Sequence, residues 1–339
     1  MAELPGVNLA ALAQWLDAKC PGLRQGELAG AVIAGGKSNL TYRITDGASV
    51  WALRRPPLAH VLPTAHDMAR EFRVISALVP TDVPVPETVA LCTDQDVLGA
   101  TFYVMSFVDG IVLDRPEAIA GLTPQTAART CEQLVDTLVQ LHAVDAEAVG
   151  LGDFGRPDGF LARQVRRWKQ QWDANQTQER DVVPQLLERL TATMPEQSPA
   201  GVVHGDYRLT NVMFSPDLEG IAAVVDWEMA TLGDPLTDLG LLVVYQTLSS
   251  DDDFVMPRMH PGDGFLTADE MVARYGEQSG RGLADLDWYV GFGYFKLAVI
   301  AEGIHNRYSQ GKTVGAGFDH FGPAVPQLLD TALLSLAAR

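Results

Sequence analysis

The residues most able to carry out chemistry lie after the middle of the chain: His204, Gly205 and Asp206, then Asn211, then Asp226. In phosphoryl transfer, the protein mainly holds an accepting hydroxyl in line and binds metal ions that neutralise the phosphates. An Asp after a short strand can accept the hydroxyl proton, and an Asn and a second Asp can bind Mg²⁺. Each residue alone is also a common turn residue. The ordered set favours an ATP- and Mg²⁺-dependent phosphotransferase, with Asp206 catalytic and Asn211 and Asp226 as metal ligands.

The first hundred residues are predicted to form a small antiparallel sheet with a leading helix and one main helix. Apolar residues at helical spacing, alternating apolar residues and the Asp46-Gly47 turn signal give the boundaries. The predicted elements are a helix within residues 1–30, strands at 31–34, 40–45 and 49–54, a helix at 67–78, an extended segment at 80–86 and a strand at 101–108.

The rest of the chain is predicted to be mostly helical, beginning with a helix at 124–144 that Thr123 caps and Pro124 starts. Short apolar runs at 201–204, 212–214 and 221–226 indicate a small β-rich patch. The predicted fold class is therefore α+β with two lobes. The N-terminal nucleotide-binding lobe spans residues 1–105, the hinge 106–110, and the C-terminal catalytic and acceptor-binding lobe 111–339.

Composition indicates a globular protein, because 47% of the 339 residues are apolar and 20% are charged. No apolar run is long enough to cross a membrane, and the N-terminus lacks a basic stretch followed by an apolar one. We therefore expect a cytoplasmic protein without a membrane partner. The three cysteines are far apart in the sequence, which predicts buried thiols rather than a disulfide framework or a zinc site.

The charge of the chain is strongly negative, with 43 acidic against 25 basic residues and a net charge of -18. A nucleic-acid partner is not expected, because neutralising phosphates along a strand needs a basic face. Acidity does not exclude ATP, whose site needs only local donors and Mg²⁺. It favours cationic or neutral co-substrates.

Three motifs resemble the aminoglycoside phosphotransferase and choline kinase group of the protein-kinase-like fold: H-G-D-x-x-x-x-N at 204–211, V-V-D-W-E at 224–228 and G-D-P-x-x-D-L-G at 233–240. The resemblance extends from about residue 28 to the C-terminus and is strongest to the kinase-like domains fused to some acyl-CoA dehydrogenases, which share D-W-E-M-A-T-L-G-D-P. It implies a bilobal fold of this type and a small-molecule kinase.

The resemblance also implies roles for single residues. It makes Asp206 the catalytic base and Asn211 and Asp226 the Mg²⁺ ligands. His204, which could be read as a proton acceptor, is implied to be a structural brace of the loop. Asp238 is implied to hold the catalytic loop through backbone hydrogen bonds.

Nucleotide contacts are expected from the N-terminal lobe. Gly35 and Gly36 lie between two predicted strands, where glycines let backbone N–H groups turn toward phosphate oxygens, and Ser38 adds a hydroxyl donor. The same residues are also common in an ordinary hairpin turn, but they fall where similar kinases carry G-G-x-S-N. Adenine is expected against the hinge, at the Phe107 carbonyl and the Val108 N–H.

A cation on the third strand, paired with a helix carboxylate, is expected to hold the α- and β-phosphates. The candidates are Arg54 and Glu71, with Arg55 as a rival and a surface ion pair as the alternative. Related kinases use Lys here, whereas Arg binds phosphate bidentately and keeps its proton.

The acceptor is less defined by the sequence. The resemblance favours a hydroxyacyl-CoA or related hydroxy compound, whereas the acidic charge favours an aminoglycoside or a choline-like amino alcohol. The basic run at 163–169 is either a contact for an anionic acceptor or a solvated helix face. The roles of Tyr294, Lys296, Glu302, His305 and Arg307 on the C-terminal helices stay open.

Two other classes of protein compete with the small-molecule kinase. A non-catalytic pseudokinase scaffold is supported by Arg54 in place of Lys, but Asp206, Asn211 and Asp226 are all present. A protein kinase is disfavoured, because the chain does not carry the H-R-D-L, D-F-G and A-P-E motifs as a set.

Overall fold

The computed structural model describes residues 4–33, 39–58, 67–250, 258–312 and 317–337. The chain forms two compact units. The first contains Met1–Ile111 and Met213–Ala230, and the second contains Val112–Val212 and Thr231–Arg339. The predicted lobe limits concern which part binds nucleotide and which binds the acceptor, and they stay a prediction.

The first unit is built on a five-stranded antiparallel sheet. Its elements up to residue 111 are α1 (Leu9–Lys19), β1 (Ala29–Val32), β2 (Leu40–Thr45), β3 (Val50–Arg55), α2 (Met68–Leu78), β4 (Thr88–Cys92), α3 (Gln95–Leu98) and β5 (Phe102–Ser106). The strand order is β1-β2-β3-β5-β4, and every neighbouring pair is antiparallel. Tyr42 and Ile44 alternate on the buried face of β2 and pack with Leu53 and Phe102 in the core of this unit.

The remaining elements alternate between long helices and very short strands. They are α4 (Pro116–Ala120), α5 (Pro124–Ala143), α6 (Phe160–Asn175), α7 (Val182–Ala192), β6 (Gly201–Val203), β7 (Val212–Phe214), β8 (Ile221–Val224), β9 (Thr231–Gly233), α8 (Leu236–Ser249), α9 (Ala268–Ser279), α10 (Leu286–Ser309) and α11 (Phe321–Ser335). β6 pairs with β9 in the second unit, and β7 pairs with β8. Within the first unit, the Val224 N–H at the end of β8 donates to the Pro84 carbonyl at 2.7 Å.

Helix α2 places a charged group in the core. Asp67 caps it by accepting a hydrogen bond from the Arg70 N–H. The buried face of the helix contains Met68, Val74 and Leu78, and Glu71 lies on that same face. The helical period therefore buries a carboxylate beside the sheet.

Helix α10 is the centre of the second unit, where it packs against α6, α8 and α11. A Cβ atom on Gly240 of α8 would lie 2.6 Å from the backbone carbon of Tyr289 on α10, so only glycine permits this approach. The close crossing brings the side chains of α8 and α10 to the same loop. Within the described ranges, no helix is long and apolar enough to cross a membrane.

Most sequence predictions of secondary structure are confirmed, with small shifts at the ends. The strands 40–45 and 212–214 are found as predicted, and the helix 124–144 ends at Ala143. The strand expected at 31–34 occupies Ala29–Val32. Cys92 and Cys131 are buried thiols as expected, whereas Cys20 is only half-buried.

Strands β4 and β9 were not predicted. β9 has only three residues, and β4 has buried and half-buried side chains without a clear alternation. Their strand geometry comes from pairing with β5 and β6, which a local pattern does not contain.

Candidate active site

The loop after β6 is held by a buried carboxylate from α8. Asp238 Oδ2 accepts from the His204 N–H at 2.7 Å, and Asp238 Oδ1 accepts from the Gly205 N–H at 2.8 Å. His142 Nε2 lies 3.4 Å from Asp238 Oδ2. Burial opposes the ionisation of Asp238, but the hydrogen bond from His142 and the Gly205 N–H outweigh burial and hold the pKa of Asp238 below its usual value.

The histidine of the loop braces the next residue. His204 is fully buried, and its Nδ1 atom accepts from the Asp206 N–H at 3.2 Å. Gly205 between them has φ +86, which a residue with a side chain rarely adopts. The loop therefore needs Gly205 for its turn and His204 for its shape.

The Asp206 carboxylate is bound at both oxygens. Tyr245 donates its hydroxyl to Asp206 Oδ1 at 2.8 Å, and Asn211 Nδ2 donates to Asp206 Oδ2 at 2.9 Å. Arg208 Nε lies 3.4 Å from the same Oδ2, and its guanidinium is 5.1 Å from the Tyr245 ring centre. These contacts fix the direction in which the carboxylate points.

The orientation of Asn211 suits a metal ligand. Its Nδ2 atom donates to the backbone carbonyl of Asp206 at 2.8 Å and to the Asp206 carboxylate, so the amide nitrogen must face these two acceptors. The Oδ1 atom then faces away, and it accepts no hydrogen bond from the described part of the chain. An amide oxygen is a ligand that Mg²⁺ accepts.

In the first unit, one guanidinium joins two carboxylates. Arg54 Nε lies 3.1 Å from Glu71 Oε1, and Arg54 Nη2 donates to Asp226 Oδ1 at 2.6 Å. The rival Arg55 instead donates to the backbone carbonyls of Gly6 and Leu98. Arg54 is therefore the cation that pairs with Glu71.

Burial dominates the electrostatics of this cluster. It raises the pKa of Glu71 to about 7, although Arg54 acts in the opposite direction. Burial would lower the pKa of Arg54, but the charges of Glu71 and Asp226 outweigh it and the pKa of Arg54 is raised. The guanidinium stays charged while its buried partner holds a proton part of the time near neutral pH.

Asp226 itself has a left-handed backbone, with φ 68 and ψ 56. This conformation costs a residue with a side chain about 1–2 kcal/mol, and such residues concentrate at functional sites. The turn is stabilised by the next residue, Trp227, which is buried and donates its indole N–H to the Val224 carbonyl at 3.0 Å.

The other expected nucleotide contacts are only partly described. Phe107 and Val108 follow β5, and no described residue forms a hydrogen bond to the Phe107 carbonyl or the Val108 N–H. The adenine contact expected of them stays a prediction. Gly35, Gly36 and Ser38 lie outside the described residues.

Each unit gathers its own set of predicted residues. His204, Asp206, Asn211 and Asp238 converge in the second unit, and Arg54, Glu71 and Asp226 converge in the first. Among the described residues, no three His, Cys, Asp or Glu side chains are placed to hold a metal ion. Mg²⁺ commonly uses only one or two protein carboxylates together with phosphates and water. A magnesium site therefore does not need three such side chains.

The sequence interpretation missed Tyr245. A signal existed, because Asp238 and Tyr245 are seven residues apart in the sequence, which places them on one face of a helix two turns apart. Lys296, whose role stayed open, donates to the Gly205 carbonyl.

The sequence of this chain matches a known enzyme family. The model of the "Phosphotransferase enzyme family" matches residues 30–289. The chain belongs to this phosphotransferase family. The membership confirms the predicted enzyme class, a small-molecule phosphotransferase, and the predicted resemblance to aminoglycoside phosphotransferases and the acyl-CoA-dehydrogenase-fused domains.

Curated relatives of this chain are longer proteins. Acyl-CoA dehydrogenase family member 11 of Homo sapiens is 32% identical over 322 residues, which are 91% of this chain and 40% of that protein. Family member 10 of Mus musculus is 32% identical over 302 residues, which are 88% of this chain and 28% of that protein. This chain thus spans well under half of the length of these relatives.

Solved structures of the family share the fold. A protein from Ralstonia eutropha JMP134, described as a candidate aminoglycoside phosphotransferase, is 29% identical with a TM-score of 0.85, covering 97% of this chain and 98% of that one. The aminoglycoside phosphotransferase APH(4)-Ia in complex with AMP-PNP and hygromycin B is 16% identical with a TM-score of 0.63, covering 97% and 99%. These similarities confirm the predicted α+β, protein-kinase-like fold.

Proposed function

We propose that this chain transfers the γ-phosphate of ATP to a hydroxyl group of a small molecule, with Asp206 as the residue that takes the hydroxyl proton. The observation that carries the proposal is the Asp206 carboxylate, which Tyr245 and Asn211 hold at 2.8 and 2.9 Å on a loop fixed by Asp238. A carboxylate with a fixed direction can accept a proton without first reorganising.

The reaction forms one bond and breaks one bond. The acceptor oxygen bonds to the γ-phosphorus, the bond from that phosphorus to the ADP oxygen breaks, and the hydroxyl proton moves to Asp206. Bound Mg²⁺ neutralises the charge of the phosphates, and Asn211 and Asp226 are the residues that would hold it.

The first unit supplies the proposed nucleotide contacts. Arg54, held by Glu71, contributes a permanent positive charge for the phosphates. The Phe107 carbonyl and the Val108 N–H accept and donate to adenine, and Gly35, Gly36 and Ser38 cover the phosphates. The complex of APH(4)-Ia with AMP-PNP supports the use of ATP within this fold.

For the acceptor, we favour a hydroxyacyl-CoA or a related hydroxy compound. The acyl-CoA dehydrogenase family members that match 88–91% of this chain support it. The charges near Asp206 support it as well, because Arg208 and Lys296 lie beside that carboxylate despite the acidic composition of the chain. Cations at this place attract anionic acceptors and disfavour polycationic aminoglycosides.

An amino-alcohol or aminoglycoside kinase is the second candidate. It is favoured by the similarity to a homoserine kinase of Rhodospirillum rubrum, which is 28% identical over 168 residues and covers 45% of each chain. Homoserine presents an amine near its hydroxyl group, so this similarity points to the same acceptor class as the acidic composition.

The test is a panel of acceptors. The protein is incubated with ATP, Mg²⁺ and, separately, hydroxyacyl-CoAs, the corresponding free hydroxy acids, aminoglycosides, choline and homoserine, and products are analysed by mass spectrometry. We expect a hydroxyacyl-CoA to gain the mass of one phosphate with release of equal ADP. A product only from the amines would select the second candidate, and no product from any class would contradict a kinase of these acceptors.

A non-catalytic scaffold is separated from the proposed kinase by turnover, and ligand-dependent thermal stability tests the nucleotide and metal site that either one would have. For the proposed kinase, ATP with Mg²⁺ raises the unfolding temperature more than ATP alone, and Asp226→Ala removes the Mg²⁺-dependent part. A scaffold would show the same stabilisation by ATP but no turnover with any acceptor or with water.

A further inference from the structure

Lys296 is a buried ammonium whose charge was used above only to argue the class of acceptor. It lies on α10 and is 7% exposed. Its Nζ atom donates to the Gly205 carbonyl and lies 5.5 Å from the ring centre of Trp168 on α6. Because burying an ammonium is costly, a buried lysine needs partners that compensate for the lost water.

The Gly205 residue is held from two helices by opposite charges. Its N–H donates to the Asp238 carboxylate of α8 at 2.8 Å, and its carbonyl accepts from the Lys296 ammonium of α10. That carbonyl belongs to the peptide that links Gly205 to Asp206. The N–H of the same peptide donates to His204 Nδ1 at 3.2 Å. The plane of the peptide that begins Asp206 is therefore fixed at both its polar groups.

We propose that Lys296 is a positioning residue for phosphoryl transfer, whose protonated ammonium fixes the Gly205–Asp206 peptide and thereby the direction of the Asp206 side chain. The inference rests on the proposed function, because it takes Asp206 as the proton acceptor.

The charged groups that face Lys296 come from the loop after β6, from α8 and from α6. Asp206 of the loop and Asp238 of α8 favour the ammonium, whereas Arg167 of α6 and Arg208 oppose it. Burial has the largest effect and lowers the pKa of Lys296 below that of a free lysine. A hydrogen bond from an ammonium is roughly twice as strong as one from a neutral amine, so loss of the proton weakens the hold on Gly205.

The test compares Lys296→Met, which keeps the stem but removes the charge, with Lys296→Arg, which keeps a charge at every accessible pH. Lys312→Met is the matched control, because Lys312 is exposed just after the same helix. ADP release from Mg²⁺-ATP, with water as the acceptor, gives kcat and KM between about pH 6 and pH 10. Thermal unfolding of each variant is recorded at the same pH values.

In the native protein, we expect kcat to decline at alkaline pH with a midpoint below about 10.4, the value of a free lysine. Lys296→Met is expected to lower kcat by between about 10-fold and 100-fold, as for other misplaced catalytic groups, without that decline and with a similar KM for ATP. Lys296→Arg recovers part of kcat and also lacks the decline. Lys312→Met behaves as the native protein.

Two results would overturn the inference while leaving the proposed function intact. One is a Lys296→Met protein with native kcat. The other is an unchanged pH profile in both variants, with activity lost only in proportion to unfolded protein, which is the behaviour of a purely structural lysine. A native protein that releases no ADP under any condition instead contradicts the proposed function, and the inference with it.

Discussion

Glu71 in the first unit and Asp238 in the second are both 1% exposed, and both lie on a helix face that points into the protein. Burial acts against the charge of each one. Yet the pKa of Glu71 is raised to about 7, whereas the pKa of Asp238 is lowered below its usual value. The two carboxylates therefore respond in opposite ways to the same degree of burial.

The opposite pKa shifts follow from the number of hydrogen-bond donors that serve one carboxylate alone. Asp238 receives two backbone N–H groups and a hydrogen bond from His142. Glu71 receives one Arg54 guanidinium, which also donates to Asp226. Dedicated donors compensate the loss of water, and a shared cation does not. The Asp238 carboxylate in the second unit therefore stays ionised at neutral pH, whereas Glu71 in the first unit titrates near it.

Asp238→Asn gives the largest expected effect. The neutral amide cannot accept as strongly from both backbone N–H groups, so we expect the free energy of unfolding to fall by about 4 kcal/mol. Urea unfolding at pH 7 measures it. Asp136→Asn is the matched control, because Asp136 pairs with Arg274 near the surface and an exposed pair contributes less than about 1 kcal/mol. Equal losses in the two variants would contradict the account.

Glu71→Gln tests the raised pKa of Glu71, which is the opposite of the shift at Asp238. In the native protein, Glu71 keeps its proton up to about pH 7, whereas the unfolded chain loses it near the ordinary glutamate pKa of 4.5. The folded state therefore binds more protons in this window, and its stability falls as pH rises from 4.5 to 7. The variant lacks this contribution, which is on the order of 2–3 kcal/mol.

Unfolding by urea at a series of pH values measures this slope. Glu87→Gln, a change at an exposed glutamate of the same unit, should keep the native slope. A Glu71→Gln protein with the native slope would show that Glu71 is ionised throughout.

Substitution of Arg54, whose guanidinium joins Glu71 and Asp226, is expected to have a smaller effect on stability. Lysine has one nitrogen and cannot reach Glu71 and Asp226 as Nε and Nη2 do, so Arg54→Lys should destabilise the protein. A double-mutant cycle of Arg54→Lys with Asp226→Asn should give a coupling of about 1–2 kcal/mol in urea unfolding. Strictly additive losses would mean that the bridge contributes nothing.

Tyr245→Phe has the smallest expected effect on stability. It removes one hydrogen bond to Asp206 and leaves the ring in place, which costs about 1 kcal/mol. The rate of ADP release should fall a few-fold because the carboxylate is less well oriented. Tyr308→Phe, at a tyrosine that is 42% exposed, should change neither quantity.

Part of this picture could be predicted from the sequence. The loop residues His204 to Asn211 lie within eight positions of one another, so their spacing alone indicated the chemistry. The pairing of Arg54 with Glu71 was expected from the resemblance to kinases that pair a cation on the third strand with a carboxylate on the next helix, and Arg55 was left as a rival. Such predictions succeed where the interacting residues are close in the chain or lie on one regular element.

The contacts that sequence reasoning missed join distant segments. Arg54 and Asp226 are 172 residues apart, Lys296 and Gly205 are 91 apart, and Tyr245 and Asp206 are 39 apart. These pairs depend on how helices pack, as at the glycine crossing of α8 and α10, and local periodicity does not encode that packing.

Asp206→Asn tests the central claim most directly. With the protein in excess over ATP, single-turnover measurements report the transfer step rather than product release. We predict that the variant transfers phosphate at least about 100-fold more slowly, because it has lost the proton acceptor, while ATP affinity and the free energy of unfolding change little. An Asp206→Asn protein that transfers phosphate at the native rate would contradict the account.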